Sequence, residues 1–141
     1  MTIVKKAELS GLPGPAHLVE LKDEIALSEK QVIEIGKIYQ DMKTRAIAAG
    51  ERFIAAESAL SEAFGTPGLS QTHLRQLIED AATARAELRF IHLSQHLNTP
   101  NLLTKAQIQK YNILRGYAAD PCASVPEGHN AEMWRKHNHC D

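Results

Sequence analysis

The sequence lacks the features that are typical of nucleic-acid-binding proteins, membrane-spanning proteins and β-sheet proteins. Its 16 Lys and Arg residues are balanced by 17 Asp and Glu residues, so no basic excess attracts a nucleic acid or an anionic membrane. No apolar run approaches the roughly 18–20 residues that span a bilayer, which predicts no transmembrane segment. Aromatic residues make up only 5%, and no period-two alternation predicts strands. A chain of 141 residues suits one domain, and the composition favours an all-α fold.

Motifs of the common enzyme classes are also missing. The chain contains no Gly-rich phosphate loop, no Gly-x-Ser-x-Gly and no His-Glu-x-x-His. It also lacks the Glu-x-x-His pairs of di-iron bundles, since Glu87 and His92 are five residues apart. We therefore expect a protein without catalytic residues.

Apolar and small residues recur at alternating spacings of three and four along two long segments. Such spacing is typical of a seam, which is the line of residues along which a helix packs on one partner helix. It predicts a helix from about Ser28 to Phe64, a stop at Gly65-Thr66-Pro67-Gly68 and a second helix capped by Ser70. The two helices form an antiparallel hairpin that many alanines keep thin. The seam residues are Val32, Ile35, Tyr39, Met42, Ala46, Ala49, Phe53, Ala56, Leu60 and Ala63, followed by Leu74, Leu77, Ala81, Ala84, Leu88 and Ile91.

The hairpin needs further helices to cover its apolar surface. Near its end the second long helix carries another apolar face, formed by Phe90, Leu93 and Leu97. We expect a short helix from Thr104 to Arg115 and the segment Leu18 to Leu27 to cover this face. The fold is thus four helices, two long and two short, in a domain over residues 17–118. Residues 1–16 form a disordered or extended arm, residues 119–141 form a flexible tail, and the exposed apolar surface predicts a homodimer.

A five-residue pattern occurs twice, near the two ends of the helical region. Both copies read Leu, hydroxyl residue, any, any, Gln: Leu27, Ser28 and Gln31, then Leu103, Thr104 and Gln107. Each copy is a capping box, in which the hydroxyl and the Gln side chain satisfy free backbone N–H groups at a helix start. Folding the hairpin about Pro67 brings both copies to the same end of the molecule. We interpret them as structural residues rather than contact residues.

The paired pattern resembles the LTxxQ motifs of the Spy/CpxP-like family of bacterial envelope proteins. The resemblance covers about residues 17–117, with Ser28 where the family usually has Thr, and with the ending Leu114-Arg115-Gly116-Tyr117. It implies a dimeric, hairpin-based, non-enzymatic periplasmic protein. Some members of the family keep unfolded clients from aggregating. Others bind zinc, copper, nickel or cobalt and report metal stress to a membrane-bound signalling partner.

The N-terminus does not resemble a secretory leader. Residues 1–16 include Lys5 and Lys6 but no apolar run of 7–15 residues. The sequence is therefore compatible with a cytoplasmic protein or with a mature chain whose leader has been removed. The resemblance favours the second interpretation.

Candidate metal ligands lie near the same end of the hairpin as the two capping boxes. His92 and His96 are four residues apart, so their imidazoles share one helix face. Folding about Pro67 places Met42 level with His92, and His17 precedes the first long helix at this end. Met42 lies in the seam, so packing is the alternative for its thioether. For the two histidines the alternative is a solvated edge of the seam.

The tail is a second candidate site, because it holds His, Met and Cys, the ligand set of late transition metals. His129, Met133 and His137 would share one face of a helix, and His139 and Cys140 follow them. The alternative is a flexible polar tail. Cys122 and Cys140 would form a disulfide in an oxidising compartment and free thiols or metal ligands in the cytosol. A disulfide and a thiolate metal site exclude each other.

Three functions therefore remain. The first is a periplasmic metal-binding protein that reports or buffers zinc, copper, nickel or cobalt. The second is a chaperone that binds unfolded clients without ATP. The third is a dimeric interaction module with neither activity.

Overall fold

The computed structural model describes residues 3–140 and is all-helical over that range. This part of the chain holds six α-helices rather than the four expected. They are α1 (Ile3–Leu9), α2 (Pro15–Glu20), α3 (Glu29–Ala63), α4 (Gln71–Asn98), α5 (Lys105–Leu114) and α6 (Ala131–His137), with a 3₁₀ turn at Pro100–Leu102. None of these helices is long and apolar enough to cross a membrane.

Helix α3 begins and ends, and α4 begins, at the residues that the local signals predicted. Ser28 and Gln31 form a complete capping box at the start of α3. This helix has 35 residues and is therefore about 52 Å long. The Ser70 side chain accepts a hydrogen bond from the His73 backbone N–H at the start of α4. Across the hairpin, Arg52 donates to Glu87 over 2.8 Å.

The seam between α3 and α4 is confirmed by burial. Every seam residue predicted on either helix is buried or half-buried. The seam is nevertheless thin, because on α3 only Ile35 and Ala49 are buried. Two helices with a narrow alanine-rich contact leave most of their surface to solvent.

The compact core lies at the open end of the hairpin, which we call the hairpin base. Leu18, Ile25, Ile35 and Tyr111 form a buried cluster there. Leu27 and Leu103, the leucines of the two repeated motifs, pack against this cluster and are partly buried. The base therefore joins α2, α3 and α5 through one small apolar core.

We predicted that other helices cover the apolar face of α4 formed by Phe90, Leu93 and Leu97. This prediction is wrong for two of the three residues. Phe90 and Leu97 are 66% and 65% exposed, and only Leu93 is half-buried. The reason is that α5 inserts Tyr111 into the core at the base instead of lying on α4. The neighbour of Leu93 is α1, whose Ile3 and Val4 line a shallow pocket with it.

The N-terminal segment forms a helix where we expected a disordered or extended arm, and the tail contains a helix and a disulfide. Residues 3–9 form α1, which packs on α4. In the tail, Cys122 and Cys140 are joined by a disulfide. The Trp134 indole donates to the Pro121 carbonyl over 2.8 Å. The tail is thus a small closed unit with its own helix, α6, and it borders a cavity beside α5.

Candidate functional site

The two repeated motifs meet at the hairpin base through their glutamines. Gln31 Nε2 donates to Gln107 Oε1 over 2.7 Å, and Gln107 Nε2 donates to Gln31 Oε1 over 2.9 Å. Each Oε1 also accepts the backbone N–H of its own N-cap residue, Ser28 or Thr104. The predicted meeting of the two motifs at one end is confirmed.

The remaining amide hydrogens hold the loops around the base. Gln31 Nε2 also donates to the Leu102 carbonyl over 2.8 Å, and Gln107 Nε2 donates to the Ala26 carbonyl over 3.3 Å. Both amides therefore use two donor and two acceptor positions. An amide with this many partners is fixed in place, so the motifs act as structural joints.

A cavity at the base brings together the four metal-ligand candidates of the helical body. This base cavity has a volume of about 170 Å³. Its lining residues include His17, Met42, His92 and His96, together with Val4, Glu8, Gly14, Pro15 and Ala16. Met42 and His92 thus line the same cavity from opposite helices, as the fold about Pro67 predicts.

Hydrogen bonds place a hydrogen on Nδ1 of each of the three histidines. His96 Nδ1 lies 2.8 Å from the Leu12 carbonyl oxygen, and His92 Nδ1 lies 3.1 Å from the Leu88 carbonyl oxygen. A carbonyl oxygen only accepts, so each Nδ1 carries a hydrogen, and in a neutral ring Nε2 is then the nitrogen with the lone pair. His17 Nδ1 lies 3.1 Å from a carboxylate oxygen of Glu20, with the same result. Metal-binding histidines typically have such an Nδ1 partner.

The candidates share a cavity without forming a finished metal centre. No group of three or more His, Cys, Asp and Glu side chains within residues 3–140 is arranged to hold a metal ion. His96 is almost fully buried, with 7% exposure, whereas the His92 side chain is exposed. A metal ion would have to draw these side chains closer together.

A buried carboxylate beside the cavity was not predicted from the sequence. Glu8 is only 2% exposed. It accepts hydrogen bonds from Tyr111 over 2.7 Å and from Tyr117 over 2.5 Å. Arg115 Nη2 and His17 Nε2 lie 3.4 and 4.0 Å from its two oxygens. This cluster ties α1 to α5 and to the turn that follows it.

The cluster shifts the proton affinities of its members. Burial alone would raise the pKa of Glu8, but the hydrogen bonds from Tyr117 and Tyr111 and the charge on Arg115 outweigh it and lower the pKa. Burial and the hydrogen bond to Glu8 raise the pKa of Tyr111. The hydrogen bond to Glu8 also raises the pKa of Tyr117. The folded state therefore favours an ionised Glu8 and neutral tyrosines.

The tail does not assemble the ligand face that its spacing predicted. Asn130 caps α6 by accepting from the Met133 backbone N–H, so His129 lies outside the helix. The His129 ring packs edge-on against Trp134 instead, with centroids 4.8 Å apart. His129, Met133 and His137 consequently do not form one helical face. His139 borders the cavity beside α5, and the sulfur of Cys140 is occupied by the disulfide.

No family model, no curated protein and no solved structure matches the chain. The likeness to the Spy/CpxP-like family therefore depends on the two motifs, the helical pattern between them and the Leu114–Tyr117 ending.

Proposed function

We propose that the protein binds a late transition-metal ion at the base cavity and serves as a non-enzymatic metal-stress protein of the bacterial envelope. The observation that carries this proposal is that His17, Met42, His92 and His96 line one cavity. These residues come from the segment before α3, from α3 itself and from α4. Four candidates chosen from sequence separations of up to 79 residues therefore come together in space.

The donor atoms suit such an ion. Each histidine has its Nδ1 hydrogen engaged by a carbonyl or carboxylate oxygen, so Nε2 of the neutral ring would be the ligand atom; in His17 this atom lies 4.0 Å from Glu8. Imidazoles bind zinc, copper, nickel and cobalt, and a thioether favours copper(I). His92 and His96 are the pair on one helix that would bind first, with Met42 and His17 completing the set.

Metal binding would also provide a signal that a partner can detect. Because the described residues hold no preassembled three-ligand group, a bound ion would draw His17 toward α4. The residues before His17 carry α1, so this movement would change how α1 lies on α4. A membrane-bound signalling partner that contacts α1 would then distinguish the metal-bound form from the metal-free form.

A periplasmic location is part of the same proposal. It is supported by the resemblance to envelope proteins and by the disulfide between Cys122 and Cys140, since disulfides persist in oxidising compartments.

Calorimetric titration with Zn²⁺, Cu⁺, Ni²⁺ and Co²⁺ tests the site. We expect His92→Ala/His96→Ala to weaken binding by roughly a hundredfold or more, since even the loss of an outer hydrogen-bond partner costs about 10–100-fold. Met42→Leu should weaken binding of Cu⁺ more than binding of Zn²⁺, because leucine keeps the packing but lacks the sulfur.

The matched control is His73→Ala, an exposed histidine on the same helix near the turn of the hairpin. It should leave every affinity unchanged. A second control is His129→Ala/Met133→Ala/His137→Ala, which removes three of the candidates in the tail and keeps His139. If this tail variant loses binding and the His92/His96 variant does not, the base cavity is not the site.

A second candidate function, chaperone activity, is favoured by the uncovered face of α4. Phe90 and Leu97 are seven residues apart and are 66% and 65% exposed. With half-buried Leu93 they form an apolar strip that an unfolded client could contact. Light scattering of an aggregating client with stoichiometric protein tests this role. We expect suppression that is lost in Phe90→Ser/Leu97→Ser; equal suppression by both proteins would reject this strip as the client surface.

A further inference from the structure

Helix α4 carries a second row of residues at spacings of three and four, beside the seam that packs on α3. This row, which we call the arginine row, consists of Arg75, Ile78, Ala82, Arg85 and Arg89. The five positions lie within about 80° of one another around the helix axis. All five residues are exposed, so the row is a surface feature rather than part of the seam.

The arginines of this row lack the carboxylate partners that arginines have elsewhere in the fold. Arg52 and Arg115 each pair with a glutamate. Within residues 3–140, no hydrogen bond or ion pair involves the side chain of Arg75, Arg85 or Arg89. Arg85 and Arg89 are also one helical turn apart, and like charges at this spacing destabilise a helix. An anion bound between these two arginines would remove that repulsion.

A groove lies between the two long helices beside this arginine pair. This side groove has a volume of about 640 Å³. Leu60 lines it from α3, and Ile78 and Ala82 line it from α4. Arg85 and Arg89 also line it. The side groove therefore has an apolar part and a cationic part.

The two parts suit a molecule with one anionic head and one apolar chain. Two guanidinium groups can donate paired N–H···O bonds to a carboxylate. Arg89 and Ile78 are 11 positions apart on α4, which corresponds to about 16 Å. An extended hydrocarbon chain of roughly a dozen carbon atoms covers this length.

The charges of the side groove set the direction of such a molecule. Glu57 also lines the groove. It lies ten residues before Pro67, whereas Ile78 lies eleven residues after it, so both are at the same level of the hairpin. A carboxylate head is repelled from this level and attracted to Arg85 and Arg89. The apolar chain then points toward Ile78.

An acidic protein segment is the other anionic partner that the arginine row would attract. Such a segment would use the whole row, including Arg75, which is 14 positions from Arg89, or about 21 Å. Arg75 does not line the side groove. Because the apolar groove accompanies only Arg85 and Arg89, the structure favours a ligand with a single head and a chain.

We propose that the side groove binds a long-chain fatty acid. Arg85 and Arg89 hold its carboxylate, and its chain lies over Ala82 toward Ile78. This proposal does not depend on metal binding at the base cavity.

Calorimetric titration of the full chain with fatty acids tests the site, at neutral pH and below the concentrations at which micelles form. We expect saturable binding that tightens about twofold for each methylene from octanoate to dodecanoate, since an open groove buries each methylene on one side only. Decanol, which has the chain without the charge, should bind at least about tenfold more weakly than decanoate. Acetate should not bind measurably. Absence of saturable dodecanoate binding, or equal affinity for decanol and decanoate, would overturn the proposal.

Single arginine variants test the position of the head. Arg85→Gln and Arg89→Gln should each weaken dodecanoate binding about fivefold, as the loss of one exposed charged pair does. The matched control is Arg75→Gln, which removes an equally exposed and unpaired arginine of the same row and should bind as wild type. If Arg75→Gln weakens binding as much as the other two, the ligand follows the charge of the whole row and the side groove is not its site.

A charge placed in the apolar part tests the position of the chain. Ala82→Glu should abolish dodecanoate binding, because it puts a carboxylate where the chain would lie. Its control is Thr83→Glu at the next exposed position, which does not line the side groove and should bind as wild type. Circular dichroism will show whether both variants keep the fold. Equal affinities of the two folded variants for dodecanoate would rule out this path for the chain.

Discussion

Gln31 and Gln107 hold each other by two hydrogen bonds, of 2.7 and 2.9 Å, between side-chain amides 76 residues apart in the chain. Each glutamine also closes the capping box of its own helix. One residue type in the repeated motif therefore performs two tasks: it starts a helix and it joins that helix to the start of the other. This explains why both motifs end in Gln.

The two hydrogen bonds between Gln31 and Gln107 predict that a glutamate at position 107 destabilises the folded protein. Gln107→Glu keeps the size of the side chain but removes its two amide hydrogens, so two acceptors face each other where Gln107 met Gln31. We expect a loss of about 1–3 kcal/mol in the free energy of unfolding, measured by urea denaturation. Gln109→Glu, on an exposed position of the same helix, is the control. Equal stability of the two variants would contradict this account.

Gly14 is predicted to be essential for the position of His96. A Cβ at residue 14 would lie 2.8 Å from His96 Cε1 and 3.2 Å from Nε2, and the ring is held by its hydrogen bond to Leu12. We expect Gly14→Ala to cost about 1–3 kcal/mol in thermal or urea unfolding, as overpacking does. Adding Gly14→Ala to a His96→Ala chain should cost much less, since the clashing ring is gone. Equal costs in both backgrounds would show that this contact does not matter.

The lowered pKa of Glu8 predicts that the folded protein loses stability in acid. Its pKa is lowered in the folded state from an ordinary value near 4.5, so the folded protein binds this proton more weakly than the unfolded chain does. The stabilisation is therefore fully present above that ordinary value and is lost as the pH falls through the folded pKa. Urea midpoints measured from about pH 6 to pH 3 should fall less steeply in Glu8→Gln. Glu24→Gln, an exposed carboxylate, should keep the wild-type slope.

Reduction of the disulfide is predicted to open the tail without unfolding the hairpin. Trp134 is the one tryptophan of the chain, so its emission reports the tail alone. Cys122→Ser/Cys140→Ser should shift this emission to longer wavelength, because the short helix α6 loses the link that closes its loop. The melting of the body, followed by circular dichroism, should change little. An unchanged emission spectrum would mean that the disulfide is not needed to hold the tail.

The helix boundaries of the hairpin could be predicted because their signals are local. Ser28, Ser70 and Thr104 each cap a helix that begins at the following residue. The cap forms between a hydroxyl and the backbone N–H three residues later, so it does not depend on contacts with distant parts of the chain. The sequence also predicted that Met42 and His92 lie opposite each other on the two long helices, because a tight turn and two straight helices fix the alignment.

The contacts across the hairpin base could not be predicted from local signals, because they join residues that are far apart in the sequence. Glu8 lies 103 residues from Tyr111, and nothing near either residue indicates the other. Helix α1 was missed for a related reason: its seven residues are too few to be helical in isolation and are held by their contacts with α4 and α5. The outer face of α4 was wrongly expected to be covered, because periodicity shows that a face is apolar but not which element reaches it.

The glutamine pair also has a consequence for how the hairpin finds its alignment. A seam rich in alanine has few large side chains to interlock, so sliding α4 by one heptad, about 10 Å, would cost little packing. Such a slide would carry Thr104 and Gln107 away from Gln31 and leave the hydrogen-bonding groups of both amides without their partners. The hydrogen bonds between the two glutamines can therefore form in only one register of the long helices. A protein whose long helices have a weak preference for one alignment can still fold to one structure, since its ends meet correctly only there.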